Sequence, residues 1–288
     1  MKKQIERIIS KPARPGMVGD GFRVFNYIPG GVTQQRISPF LMLDFNPSYD
    51  FGPSARVKGV DVHPHKGFET VTIAYKGAVE HHDSSGKHGI IYPGDVQWMT
   101  AGAGILHKEY HEKAFSKTGG PFEMVQLWVN LPKKDKSVAP HYQALTADGM
   151  GKAVLPDNAG VVNVIAGSFN GVAGPAETYS PVNLFDIKLN NGGQVTTQLA
   201  ANHNTALLVI NGKVTVNDQS APEHSFVLFG NAGEEISINA DGDAVVLLMS
   251  GEPINEPIVS YGPFVMNTEE EIHEAIQDFQ AGKFGVLV

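Results

Sequence analysis

The chain is expected to be all-β: two copies of one antiparallel strand unit, with a single helix near the end. Three observations support this. Short apolar segments alternate with polar residues and are bounded by turn residues, the signature of half-buried strands. Glycine (32) and proline (18) are both abundant among the 288 residues, as frequent turns require. A strand-turn-strand pattern also recurs: Ile73-Ala-Tyr-Lys-Gly77-Ala-Val-Glu80 is answered by Leu208-Val-Ile-Asn-Gly212-Lys-Val-Thr215, an offset of 135 residues.

Phe68–Tyr75 alternates for most of its length and reads as a strand, with Lys76-Gly77 as its turn. Extended chain resumes over Ala78–His82 and is reversed at Asp83-Ser-Ser-Gly86. Ile90–Tyr92 leads into Pro93-Gly94-Asp95, where proline presets φ and glycine supplies a positive φ. Val96–Thr100, Ile105–Tyr110 and Met124–Leu131 are the next strands, with Ala101-Gly-Ala-Gly104 as a bend between the first two. In the second half, Leu207–Val216, Phe226–Gly230 and Ala244–Met249 follow the same plan. The segment Lys133–His141, polar and bounded by Pro132 and Pro140, reads as a linker. It divides the chain into an N-terminal unit over 1–132 and a C-terminal unit over 141–288. One helix is expected after Thr268. Thr268-Glu-Glu-Glu271 fits a capping box, Ile272, Ala275, Ile276 and Phe279 recur at helical spacing, and Gly282 suits the C-terminal stop.

Composition narrows the function. The formal net charge is −8 and the densest basic run is Lys133-Lys134-Asp-Lys136. A duplex-binding protein would carry a basic stripe, so no direct nucleic-acid binding is expected. No apolar run reaches the roughly 20 residues of a membrane span, and no membrane role is expected. The charged start Met1-Lys-Lys lacks the apolar stretch of a signal peptide. Cysteine is absent, which excludes disulfides and thiolate ligands and fits a cytoplasmic protein.

Eight of the eleven histidines fall between positions 63 and 141. Two triplets stand out: His63-Pro-His65 and His107-Lys-Glu109. Residues two apart on a strand share a face, so each triplet sends two donors to one side. If the strands are neighbours in one barrel, three imidazoles and a carboxylate meet at one cation. Such a set suits iron, zinc, nickel, copper or manganese. Structural zinc prefers a closed site, often with sulfur, which this chain lacks. Four protein ligands around octahedral Fe(II) leave two positions, one for a chelating substrate and one for O2 or water. Pro64 lacks an N–H and places its strand at an edge or an irregularity. Glu69 is a competing ligand by its nearness to His65. Glu109 is preferred because it shares a face with His107. His81, His82, His88, His111 and Glu112 are expected to be solvated.

At these residues the chain resembles the pirin family. The segments carrying the resemblance are His63-Pro-His-Lys-Gly-Phe-Glu-Thr-Val71, Pro93-Gly-Asp-Val-Gln-Trp-Met-Thr-Ala-Gly102, Gly104-Ile-Leu-His-Lys-Glu109 and Gly262-Pro-Phe-Val-Met-Asn-Thr268. The resemblance implies a bicupin: two antiparallel jelly-roll β-barrels, with metal in the N-terminal one and a degenerate C-terminal partner. It implies that His63, His65, His107 and Glu109 bind one Fe(II) per chain, with Zn, Mn, Ni or Cu as substitutes, and that Glu69 is not a ligand. Ala103 departs from the family, where a larger and sometimes basic side chain is frequent in this bend.

The family further implies quercetin 2,3-dioxygenase activity, an oxidoreductase reaction in which a small aromatic flavonol is opened by O2 with release of carbon monoxide. Glu109 is the candidate acceptor of the flavonol hydroxyl proton. The main rival is a metal-dependent or redox-sensing interaction protein, a transcription co-regulator or a binder of metabolic enzymes, with incidental dioxygenase activity. The acidic charge balance fits a protein partner better than DNA. A sugar-phosphate isomerase is a weaker third reading, since only Lys66 and Lys108 offer phosphate contacts.

Overall fold

The computed structural model describes residues 1–287. The chain adopts the expected bicupin fold, mostly strands with few helices, and it divides into two compact units. Their composition is not sequential. One unit takes residues 13–35, 40–147 and 254–288; the other takes 1–12, 36–39 and 148–253. The simple partition into 1–132 and 141–288 therefore misplaces both ends of the chain. The strand Ile5–Ile9 pairs antiparallel with Phe226–Phe229, completing a sheet of the second unit. The C-terminal helix packs within the first unit, not the second.

Each unit, described by itself, has the same strand plan. The first has a seven-stranded sheet in the order 141–145, 96–100, 68–76, 120–130, 40–51, 22–28, 16–18 and a four-stranded sheet in the order 59–65, 105–111, 79–83, 88–91. The second repeats this as 5–9, 226–229, 204–211, 244–251, 182–189, 160–166, 151–154 and as 194–198, 235–240, 214–216, 219–221. Apart from the edge strand of the large sheet, which follows its neighbours along the chain in the first unit (141–145) and precedes them in the second (5–9), the order is the same in both units and bears out the duplication suggested by the 135-residue offset.

What fills the two units differs. In the second, Val195, Val214, Val216, Ile236 and Ile238 of the small sheet pack against Val162, Phe185, Leu207, Val227 and Leu248 of the large one, and the interior is apolar. In the first, the inward positions of the small sheet include His65, His81, Asp83, His107 and Glu109, all buried. Buried polar side chains are costly unless they have partners. One sheet thus holds groups that a purely structural interior would not select.

Two glycines position this sheet. Gly94 has φ +94° in the Pro93-Gly-Asp95 turn, where Asp95 accepts a hydrogen bond from the Tyr92 N–H at 2.9 Å. Gly104, with φ +125°, lies so close to the Phe284 ring that a Cβ would sit 2.2 Å from it. The bend before the Ile105–His111 strand therefore depends on a bare backbone.

The segment expected to be a linker is an anchored turn. Lys133–Asp135 forms one 3-10 turn, and Lys136 is buried, 2% exposed. Its ammonium donates to Gly67 O (2.7 Å), Asn130 Oδ1 (2.8 Å) and Val265 O (2.9 Å), using all three protons. Burial pushes the Lys136 ammonium down to about 8, partly offset by Glu256 and Glu271. The terminal helix, Glu269–Gln280, has the expected capping box between Thr268 and Glu271. Its Ile272 and Ala275 bury against Phe264, Met266 and Phe284, while Phe279 stays 41% exposed. Among the described residues no helix is long and apolar enough to cross a membrane.

Candidate metal centre

The His63 strand, Gly59–His65, lies at the edge of the four-stranded sheet, as Pro64 requires. It pairs antiparallel with Ile105–His111, placing His63 directly opposite His107 and His65 opposite Ile105. The alternation of Ile105–His111 turns Ile105, His107, Glu109 and His111 inward and leaves Leu106, Lys108 and Tyr110 partly exposed. His63, His65 and His107 each offer a ligand atom within 4.8 Å of the others. Their ring centroids are 4.3 to 4.8 Å apart.

A register shift between His107 and Glu109 brings Val60, not Asp61, opposite Glu109. Strict alternation would place Asp61 on the same face as His63 and His65. The irregularity instead leaves Asp61 exposed and puts Val60 at the wall of the cavity. The Asp61 carbonyl remains useful, 2.8 Å from His63 Nδ1. A proton on Nδ1 shared with that carbonyl leaves the His63 Nε2 lone pair for a cation.

Glu109 lines the same cavity as His63 and His65, although its carboxylate is not part of the tight group of three imidazoles. It is buried and held from the large sheet: Gln126 Nε2 donates to Oε2 at 2.9 Å and Thr72 Oγ1 to Oε1 at 3.2 Å. Burial raises its pKa, opposed by His63, Gln126 and Thr72. Burial also drives His65 and His107 well below the ordinary imidazole range, and their mutual proximity and that of His63 add to it. Both are therefore neutral, the form that ligates metals.

The donors fit a cation on structural grounds. His107 has both ring nitrogens buried without a hydrogen-bond partner, and His65 has its Nδ1 so. Buried polar atoms in native proteins are almost always satisfied. A first-row divalent metal bound by neutral imidazoles satisfies such lone pairs, with Glu109 as the adjacent anion. Beside the donors lies a cavity of about 410 Å³, within the range of small-molecule sites. Phe22, Val24, Met42, Met124 and Trp128 make its wall mainly apolar, and Asp44 and Gln126 are its polar additions. Asp44 accepts from Asn26 Nδ2 at 2.8 Å, and burial raises its pKa.

Several sequence expectations need correction. Glu69, the competing ligand, is buried on the large sheet, where its Oε1 accepts from Thr100 Oγ1 at 2.7 Å. His81 and His111 are buried, not solvated. His111 shares the inward parity of His107, and packs against Phe22, Phe51, Phe115 and Phe122 with Nε2 2.8 Å from Gly21 O. His81 stacks on Tyr142 and is paired across from Glu109. Glu112 caps the Lys113–Thr118 helix by accepting from the Ala114 and Phe115 N–H groups. The alternation rule that selected His107 and Glu109 would also have turned His111 inward. Gln126, Thr72 and Asp44 had no comparable signal, because their roles come from the opposing sheet.

Burial pushes His81 down to about 4. Between about pH 4 and 6.5 the His81 ring therefore binds a proton in the unfolded chain but not in the folded one, and its contribution to stability falls by up to about 3 kcal/mol as pH drops through that window. Glu69, raised to about 7 by burial, acts in the opposite direction over nearly the same range. Denaturant unfolding of metal-free wild type and His81→Asn at about pH 7 and pH 4.5 isolates the His81 part, and wild type should lose more stability than the variant as pH falls. The same change in both proteins would contradict this account.

Comparisons with known proteins agree with this fold. The Pirin family model matches residues 21–129, and the Pirin C-terminal cupin domain matches 184–285. A Pseudomonas aeruginosa protein carrying the provisional name quercetin 2,3-dioxygenase is 48% identical over 267 residues, 93% of either chain. The Arabidopsis thaliana Pirin-like protein 2 is 39% identical over 261 residues, covering 88% of this chain and 77% of that one. The crystal structure of quercetin 2,3-dioxygenase from Acinetobacter baumannii superposes with a TM-score of 0.94 at 46% identity, covering 100% of both chains. With both of its halves matched by the family's own domains, the chain belongs to the pirin family.

Proposed function

We propose that this protein is an iron-dependent dioxygenase that opens flavonols such as quercetin, with His63, His65, His107 and Glu109 holding one Fe(II). The observation that carries the reading is the convergence of three imidazoles, two of which (His63 and His65) line a mainly apolar cavity sized for a small aromatic molecule. The names of the Pseudomonas and Acinetobacter relatives support the same reaction class. Bound iron supplies Lewis acidity toward a flavonol's 3-hydroxyl and 4-carbonyl and the redox chemistry that uses O2.

The chain's own residues do the rest. Phe22, Met42, Met124 and Trp128 exclude water and receive the flat rings. Gln126 holds Glu109 Oε2 at 2.9 Å, while the longer 3.2 Å contact from Thr72 leaves Oε1 the freer oxygen to accept the 3-hydroxyl proton. Asp44, on the same wall, is positioned to receive a hydroxyl of the substrate.

The test is aerobic turnover of quercetin by iron-reconstituted protein, followed by loss of flavonol absorbance and release of carbon monoxide. Glu109→Gln should reduce the rate by at least about a hundredfold, the scale of general-base catalysis. No flavonol consumption by the iron-loaded protein, or full activity in Glu109→Gln, would overturn the reading. Gln126→Leu removes only the partner of a ligand, so iron retention or turnover should fall roughly 10- to 100-fold with the fold intact. Iron content and steady-state rates measure that effect, and a wild-type rate with wild-type iron would remove Gln126 from the site.

A further inference from the structure

The sheet that carries the inner histidines has a second face. Within Val79–Asp83, Glu80 and His82 are two residues apart and project opposite to His81 and Asp83. Antiparallel pairing sets His88 directly across from His82. Glu80, His82 and His88 each offer a ligand atom, and these atoms lie within 4.8 Å of one another. This is the construction of the inner group, where two residues at i and i+2 on one strand are completed by a residue paired across from one of them.

The side chains are already oriented. His88 Nε2 lies 2.9 Å from Glu80 Oε1, and the His82 and His88 rings are 4.2 Å apart. The Tyr110 hydroxyl is 2.8 Å from His82 Nδ1 and also hydrogen-bonds Glu80. The consistent assignment has Tyr110 donating to the Glu80 carboxylate and accepting from His82 Nδ1–H, which leaves the His82 Nε2 lone pair available. Glu80 is buried at 4% exposure, whereas the His88 side chain is 46% exposed and opens the group to solvent. Lys113, 68% exposed, reaches Glu80 only at 4.0 Å and is free to swing away.

We infer that Glu80, His82 and His88 form a second transition-metal site, on the outer face of the sheet that carries His63, His65 and His107. Two imidazoles and one carboxylate suit zinc, nickel or copper, whereas calcium and magnesium require mostly oxygen donors. Three protein ligands leave a fourth position for water on the exposed side. In the second unit the equivalent strands pair Thr215 with Ser220 and hold no such donors.

The test is calorimetric titration of metal-stripped full-length protein with zinc chloride, checked by metal analysis after gel filtration. Wild type should bind two equivalents, and the His82→Ala, His88→Ala double variant one. Circular dichroism verifies that this variant keeps its fold. Glu80→Gln should weaken the outer site at least tenfold, and His63→Ala with His107→Ala should leave it occupied. A His63→Ala, His107→Ala variant that binds no zinc overturns the inference, as does a His82→Ala, His88→Ala variant that binds as much zinc as wild type. Both readouts are independent of whether the inner group itself holds zinc.

Discussion

Replacing His107 by alanine is expected to abolish iron retention at the inner centre while leaving the metal-free fold nearly as stable as before. The two effects separate because both ring nitrogens of His107 lack protein partners, so no protein hydrogen bond is lost with the imidazole. Its burial costs the metal-free protein, and removing it trades that cost against a small cavity. A ligand contributes more than its outer partners, whose loss already lowers affinity or activity 10- to 100-fold, so turnover should fall by more than about a hundredfold. Iron analysis after reconstitution with Fe(II) should read about one equivalent at the inner centre of wild type and close to none there in the variant, with the Glu80, His82 and His88 group unaffected. Thermal unfolding with and without Fe(II) should show a metal-induced rise in wild type only. A variant that retained its metal would remove His107 from the centre, and a sharp loss of metal-free stability would make it a structural residue.

Lys136→Met should be strongly destabilising although Lys136 lies outside the centre. The methionine fills similar volume but leaves Gly67 O, Asn130 Oδ1 and Val265 O without the donor that now satisfies them. At about 1–3 kcal/mol for each stranded buried acceptor, partly relieved by relaxation, the loss is about 3–5 kcal/mol. For a unit of this size 3 kcal/mol lowers the unfolding midpoint by roughly 6–12 °C. Metal affinity should fall with it, because Gly67 follows His65 by two residues and the ammonium ties that backbone to Val265. Differential scanning calorimetry measures the first effect and metal titration the second. A midpoint within about 1 °C of wild type would show that the three acceptors find other donors.

Much of the fold was legible because its signals are local. The alternation of Phe68–Tyr75, the Pro93-Gly-Asp95 turn and the Thr268–Glu271 capping box each depend on neighbours in sequence, and each appears in the structure. The His63-Pro-His65 and His107-Lys-Glu109 triplets were readable for the same reason, since a period of two assigns faces without knowledge of the partner strand. The same rule applied to His111 gives its burial. Treating it as solvated gave the residue's average behaviour more weight than its parity.

The sequence by itself determined the strand plan, its duplication and which donors share a face, because backbone geometry repeats every two residues wherever a strand forms. Only tertiary structure decided that Asp61 leaves the cavity and Val60 enters it, since an irregularity in pairing is set jointly by two strands. It alone decided that Gln126 and Thr72 grip Glu109 from the opposing sheet, and that Lys136, in a run that reads as polar linker, is buried. It also placed the first strand and the last helix in units that chain order does not suggest. All of these depend on which surfaces meet after the chain has closed on itself, and no local period encodes that.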